Sequence, residues 1–334
     1  EFFIIGNDEV GRLFADTLID AVRRGVTVRL LYDDVGCWPV SRSYFRRLQS
    51  SGVQVQPFQP VHFRRLSHRV NYRNHRKIVV VDGMIGYVGG MNIALRYLRG
   101  ENGGKWFDLH SRFEGSAVYG LQQLFLLDWY YAATEMINAQ EYYPVLQPQE
   151  TQGVQMQIVM SAPFEQWSNM HLAFNHIIQS ANKYVYIQTP YFMPTETILE
   201  SLQIAALRGV KVQLMVPLKP GGFWMTWANE SFYGDVLKAG VEIFAYHPGM
   251  LHAKALVADD SFCSIGSANM DFRSLNDTFE DSAFFYDEEI AMRVKNIFEQ
   301  ARKDCMPITL SMWNSRNRRR RLLESFVRIF SPLF

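Results

Sequence analysis

"NHRKIVVVDG", residues 74–83, sets a β-branched run, Ile78 to Val81, between His75 and Lys77 on one side and Asp82 on the other. A short apolar run of this kind fills a buried strand, and ionisable groups do not frame a core strand without a reason. Residues 251–260, "LHAKALVADD", repeat the arrangement with His252, Lys254 and Asp259. Written out, both copies obey H-x-K-x4-D-x6-G-[GS]-x-N: His75, Lys77, Asp82, Gly89, Gly90 and Asn92, then His252, Lys254, Asp259, Gly266, Ser267 and Asn269, at one constant offset. A single match arises by chance in roughly one chain in a hundred thousand, so two matches mark a constrained, duplicated site.

The flanks repeat as well. In the first half a strand at residues 2–6 is expected, then an amphipathic helix from Glu9 to Arg24 stopped by Gly25, then the buried strand "VTVRLLYDD". The second half replays this order with "YVYIQTPYF" (184–192), a helix from Thr195 to Arg208, and "VKVQLMVP" (210–217). "WFDLHSRF" (106–113) matches "TFEDSAFF" (278–285) as a further strand, each followed by a helix. Such alternation predicts an α/β fold with mixed, mostly parallel sheets covered by helices. The polar segment 138–153, with two prolines, has linker composition. The expected organisation is therefore a first unit at 1–137, a linker at 138–153, a second unit at 154–310 and a basic amphipathic tail at 311–334.

At 334 residues the chain can bury a large core. With Lys+Arg at 34 and Asp+Glu at 33 it lacks the basic balance of a protein that coats nucleic acid, so any anionic partner is met locally. Cys37, Cys263 and Cys305 show neither metal-ligand nor disulfide spacing and read as free thiols. Leu121 to Ala133, the longest apolar candidate for a membrane span, contains Gln122, Gln123 and Asp128 and reads as a buried helix. The chain opens on "EFFIIGND" with a strand already under way, and membrane helices are expected in a segment that precedes it.

The His, Lys and Asp of each copy are the catalytic candidates. On a strand, positions i and i+2 face one side, so each imidazole stands beside an ammonium group. That pairing suits a phosphodiester: Lys77 and Lys254 meet non-bridging oxygens, Asn92 and Asn269 add amide hydrogen bonds, and the glycines before each Asn admit the phosphate close to the backbone. Two imidazoles around one phosphorus divide the labour, one attacking it while the other protonates the leaving oxygen, and neither metal nor cofactor is needed. Asp108 and Glu280 follow the motifs at corresponding places and are suited to accept an imidazole Nδ1–H and fix its tautomer. Asp82 and Asp259, at the far ends of their strands, are better placed to anchor turns than to do chemistry.

On these motifs, and on "RRGVTVRLLYDDVG", "VGGMNIALRYL", "IQTPYFMP", "GMLHAKALVADD" and "GSANMDFRSLNDTFE", the chain resembles the phospholipase D superfamily over nearly its whole length, and most of all its bacterial cardiolipin synthases. The resemblance implies two similar α/β/α domains with the site at their interface, and exchange through a phosphatidyl-histidine with His75 as nucleophile and His252 as acid. It further implies phosphatidylglycerol at an anionic membrane surface as substrate and the bacterial inner membrane as location. Other phosphatidyltransferases or lipid hydrolases of the superfamily fit the same motifs, and a nuclease fits less well with the near-neutral charge. "WANESFY" (227–233) departs from the more basic stretch expected there.

Other segments carry expectations of their own. Arg64, Arg65 and Arg69, in the basic loop before His75, are headgroup-binding candidates. His62, His68, His110, His171, His176 and His247 read as solvated residues rather than metal ligands. "PGGFWMTW" (220–227) fits either a buried aromatic cluster or an apolar lip for acyl chains, and the arginine-rich tail 316–334 fits an interfacial helix or one docked on the core.

Overall fold

The computed structural model describes residues 1–61, 71–137, 139–145 and 153–333. The first half runs α1 (Glu9–Arg23), β1 (Arg29–Asp33), α2 (Arg42–Ser50), β2 (Gln54–Phe58), β3 (Ile78–Val81), β4 (Ile85–Gly89), α3 (Leu95–Arg99), β5 (Lys105–Phe107), β6 (His110–Glu114) and α4 (Ala117–Ala133). The second half continues with β7 (Met156–Ser161), α5 (Asn169–Ser180), β8 (Tyr184–Gln188), β9 (Phe192–Met193), α6 (Glu196–Leu207), β10 (Lys211–Pro217), α7 (Phe223–Ala239), β11 (Glu242–Tyr246) and β12 (Gly249–Leu251). It closes with β13 (Ala255–Ala258), β14 (Phe262–Gly266), β15 (Met270–Asp271), α8 (Phe272–Asn276), β16 (Glu280–Phe285), α9 (Glu288–Arg302), β17 (Cys305–Ile308), α10 (Leu310–Asn314) and α11 (Arg318–Arg328).

The second half is built on an eight-stranded sheet in the order β17-β11-β10-β8-β13-β14-β16-β7. β8, β10 and β11 pair in parallel, as strands joined by crossover helices must. β13 and β14 form an antiparallel hairpin whose turn holds Asp259 and Asp260 at positive φ. Alternation along the strands separates two apolar layers. Val185 and Ile187 of β8, with Leu256 of β13, face the core under α5, α6 and α7, whereas Tyr184, Tyr186 and Val257 face the layer that contains α9. That second layer also takes in Ile78 and Val88 of the first half and Leu121 and Leu124 of α4, so the two halves share one apolar seam. Helices thus cover both faces, the α/β/α arrangement. α4 is buried along Leu121, Leu124 and Trp129, as its sequence predicts.

The first half follows the same plan with one difference. Residues 1–5 occupy the place that β8 has in the second half: Phe2 N–H donates to Leu31 O at 3.2 Å and Ile78 N–H to Glu1 O at 3.0 Å. The order β2, β1, residues 1–5, β3, β4, β6 therefore mirrors β11, β10, β8, β13, β14, β16. The strand expected at 2–6 reduces to two isolated bridges, Phe2 with Tyr32 and Ile5 with Ile93. The segment leaves β1 after a few residues to bond the chain around Ile93, where Gly6 N–H meets Ile93 O at 2.6 Å.

No helix among the described residues is long and apolar enough to cross a membrane. Within the expected linker, Gln140–Tyr142 form a 3-10 turn, and residue 138 and residues 146–152 lie outside the described set.

Candidate active site

The regular strands begin at Ile78 and Ala255, so the motif His and Lys stand on extended backbone just before them and not within them. The reason is that each motif leaves its own sheet to pair with the other half. His75 N–H donates to Phe279 O at 2.9 Å, and His252 N–H to Phe107 O at 2.7 Å. β12, leading to His252, pairs in parallel with β5 of the first half, and Asn74 bridges to Phe279. Both motifs are held where the halves meet.

The carboxylates are crossed. Nδ1 of His75 lies 3.0 and 3.1 Å from the two oxygens of Glu280, and Nδ1 of His252 lies 2.7 Å from Asp108 Oδ2. Each imidazole is oriented by the half to which it does not belong. Glu280 also accepts from Thr278 Oγ1 at 2.9 Å and from the Ser267 hydroxyl, and Asp108 accepts from Leu109 N–H at 2.8 Å. With Nδ1 engaged, each imidazole presents Nε2 for chemistry.

Electrostatically the site is short of negative charge. Burial, and secondarily Lys77 and Lys254, pull His75 down to about 4 despite the opposing pull of Glu280. His252 is held well below its ordinary value by burial, then by Lys254, Lys77 and His75. Burial also lowers Lys77 to about 8 and Lys254 to about 7. Glu280 is held down at about 2, against the push of its burial, by His75 and Lys77, while burial raises Asp108 to about 6. Lys77 donates to His75 O; Lys254 Nζ lies 2.6 Å from His252 O and 2.9 and 3.1 Å from the two ring nitrogens of His252. Neither ammonium group forms an ion pair with a carboxylate among the described residues. An anion entering the seam would meet two buried cations, and its charge would raise both imidazoles toward their ordinary values.

The remaining predicted residues fall into place or out of it. Asn92 is buried, its Oδ1 accepting from Ile4 N–H at 2.9 Å and its Nδ2 donating to Tyr97 OH at 2.7 Å. Asn269 is buried with its Oδ1 unpartnered. Asp259 lies at the far end of β13 from His252, where it accepts the backbone N–H groups of Asn182, Lys183 and Tyr184 at 2.7 to 2.9 Å. Asp82 occupies the matching turn, exposed and at positive φ. Both aspartates stand at the strand ends opposite the imidazoles, and Asp259 holds its turn. The first-copy glycines give close approach within the protein: a Cβ on Gly89 would lie 2.5 Å from Leu109 O beside β6, and one on Gly90 2.1 Å from Oδ1 of the Asp108 carboxylate.

His110 and His171 are not solvated loop residues. His110 sits on β6, its Nδ1 3.4 Å from Met91 N, and burial lowers it to about 4; His171 on α5 bonds Thr195 Oγ1 at 2.9 Å. Arg64, Arg65 and Arg69, with His62 and His68, lie outside the described residues. "WANESFY" forms part of α7: Asn229 Oδ1 accepts from Phe192 N–H, and Glu230 pairs with Arg320 of α11. In "PGGFWMTW" Phe223 and Trp224 are exposed, whereas Met225 and Trp227 pack against the core.

One positioning residue escaped sequence reasoning. Arg76, between His75 and Lys77, is buried and forks onto Asp128 of α4 at 2.5 and 2.6 Å; it also donates to Glu280 O at 3.1 Å and Ser161 O at 2.9 Å. It ties the backbone at Glu280, in the second half, to the segment that carries His75 in the first. The signal was a lone charged residue where the second copy has Ala253. Tyr97 and Trp106 also went unnoticed; their rings stand 5.5 and 5.2 Å from that of His252 and wall it from solvent.

Two α/β halves related by internal repetition, each giving one His and one Lys to a common seam, constitute the phospholipase D-like fold. A phosphatidylserine synthase from Haemophilus influenzae Rd KW20 has this fold, with a TM-score of 0.74 over 99% of this chain and 87% of its own at 14% identity. The chain belongs to the family described as "Cardiolipin synthase, PLD-like domain", whose profile matches residues 3–103 and 174–302. It is 40% identical over its full length to "Cardiolipin synthase 2" of Bacillus anthracis and to "Cardiolipin synthase" of Oceanobacillus iheyensis, covering 65% and 69% of those proteins. The chain thus spans about two thirds of the length of the curated relatives it matches.

Proposed function

We propose that this chain carries the catalytic unit of a cardiolipin synthase, which transfers a phosphatidyl group from one phosphatidylglycerol to the terminal hydroxyl of another and releases glycerol at the bacterial inner membrane. The observation that carries this reading is the crossed pair of Nδ1–carboxylate contacts, which leaves two Nε2 atoms and two ammonium groups for one phosphate. The whole-length likeness to curated cardiolipin synthases supports the lipid as substrate.

In the first step Nε2 of His75 attacks phosphorus and the bond to the glycerol oxygen breaks. His252, protonated once the phosphodiester brings its negative charge into the seam, gives its proton to that oxygen. In the second step neutral His252 takes the proton from the hydroxyl of the second phosphatidylglycerol; that oxygen attacks phosphorus, the P–N bond breaks and His75 is restored. Lys77, Lys254 and the amides of Asn92 and Asn269 stabilise the charge that builds on the non-bridging oxygens in both steps. The assignment of His75 as nucleophile follows the superfamily analogy.

The test is product analysis on phosphatidylglycerol vesicles. Cardiolipin and glycerol should appear in equal amounts, and His75→Ala and His252→Ala should each lower turnover at least ~100-fold while leaving the fold intact. Phosphatidic acid as main product would make the protein a hydrolase, folded variants with substantial turnover would end the two-histidine mechanism, and phosphorus trapped on His252 would reverse the roles.

A further inference from the structure

α11 is mounted with its polarity reversed. A surface helix ordinarily turns an apolar stripe to the core and its charges to water. Here the inward side is charged: Arg328 NH1 donates to Asp235 Oδ2 at 2.6 Å, Arg320 pairs with Glu230 of α7, and Glu324 is buried between Arg316 and Arg320. Val327 is the one apolar side chain that α11 buries. Leu322, Phe326 and Ile329, spaced i, i+4, i+7, face outward with 71, 55 and 71% exposure. Leu323 and Phe330 widen the stripe. Exposed apolar surface that is contiguous and rimmed by charge marks a contact site.

The surface extends along α7. Phe223 and Trp224 stand seven residues before Glu230 and Ser231, on the side of α7 that receives α11, and both are exposed. The C-terminal end of α11 is followed by a 3-10 turn, Ser331–Leu333, that packs on α8, which begins three residues after Asn269.

We infer that this face seats the enzyme on an anionic lipid bilayer, with the apolar stripe entering the headgroup boundary. Charge selects this occupant. Arg318, Arg319 and Arg321 are exposed in the first turn of α11 and form no ion pair among the described residues. Anionic headgroups supply their counter-charge, whereas a second copy packed on the same face about a twofold axis would bring two basic faces together and supply none. The inference deepens the phosphatidyl-transfer reading and rests on it for the effect on turnover; the binding surface itself stands on α11 and α7.

The experiment compares the chain with two variants, Leu322→Ser/Phe326→Ser/Ile329→Ser and Arg318→Gln/Arg319→Gln/Arg321→Gln. All the changed side chains are exposed, so both variants should fold. Co-sedimentation with equimolar phosphatidylglycerol–phosphatidylcholine vesicles should weaken at least ~10-fold in each, and the unaltered chain should bind pure phosphatidylcholine vesicles far less well. Turnover of a short-chain phosphatidylglycerol in monomeric solution should stay at the level of the unaltered chain. Unchanged vesicle binding in the apolar variant overturns the inference. So does a dimer in sedimentation velocity that this variant abolishes, since the face would then belong to a second copy. Loss of vesicle binding beside an unaltered chain that makes no product from either substrate keeps the surface and refutes the transfer reading.

Discussion

At His75 the chain builds a half-buried imidazole that is neutral in the resting site, first because its surroundings are poorly hydrated and then because Lys77 and Lys254 oppose the pull of Glu280. That balance has a pH signature. With a soluble short-chain substrate, kcat/KM should fall as pH rises through about 7 and then about 8, where Lys254 and then Lys77 lose the protons that attract the phosphate. On the acid side Asp108 gains a proton near 6, well before His75 does near 4, so the acid limb belongs to Asp108. Asp108→Asn should lower kcat and move that limb toward 4; a limb that stays near 6 would show that another group sets it. Arg76 makes a different prediction. Replacing it with Met strands Asp128 in the interior, and loss of one partner of a buried pair costs about 3–5 kcal/mol, readable as a lower urea midpoint. The motif His, Lys and Asn were legible in the sequence because their repetition at fixed spacing is improbable by chance. Arg76 was not, since it occurs in one copy only and the three hydrogen-bond partners of its side chain, Asp128, Ser161 and Glu280, come from distant parts of the chain.

The elements show what local pattern can and cannot tell. Alternating strand and helix signals located β8, α6 and β10 closely, because each buries a continuous face whose period is written in consecutive residues. The departure of the motif segments from their own sheets left no such trace: pairing between β5 and β12 depends on the other half, not on periodicity. The glycines carry this pairing into testable form. Gly90→Ala would place a Cβ 2.1 Å from the Asp108 carboxylate that orients His252, so turnover should drop ~100-fold with little change in Tm. Gly266→Ala would meet the backbone oxygen of Asp281 at 2.4 Å as well as the Ser282 hydroxyl, and should lower Tm clearly. Equal loss of Tm in both variants would mean that Gly90 serves strand packing alone. The tail illustrates the same limit: its amphipathic stripe was visible in the sequence, but which side faces the protein depends on Glu230 and Asp235 of α7.

For the whole molecule, charge stabilisation by Lys77 and Lys254 predicts that transfer survives EDTA; a reversible requirement for a divalent ion in the chemical step would contradict the mechanism. The crossed contacts also predict that the two halves, produced separately, are each inactive, and that mixing them restores turnover to the extent that the apolar seam reforms. Activity in an isolated half would refute the shared site. The duplicated plan was legible from the repeat, and the direction of exchange between the copies was not, because nothing in either copy states which carboxylate its imidazole will find. That exchange has a consequence during synthesis. His75 lies 205 residues ahead of Glu280, so a growing chain carries this imidazole long before the ribosome has made the carboxylate that orients it. On the proposed function, ribosome-bound chains stalled short of residue 280 should leave phosphatidylglycerol untouched, so that the reactive imidazole and its orienting partner come together only once the second half has been made.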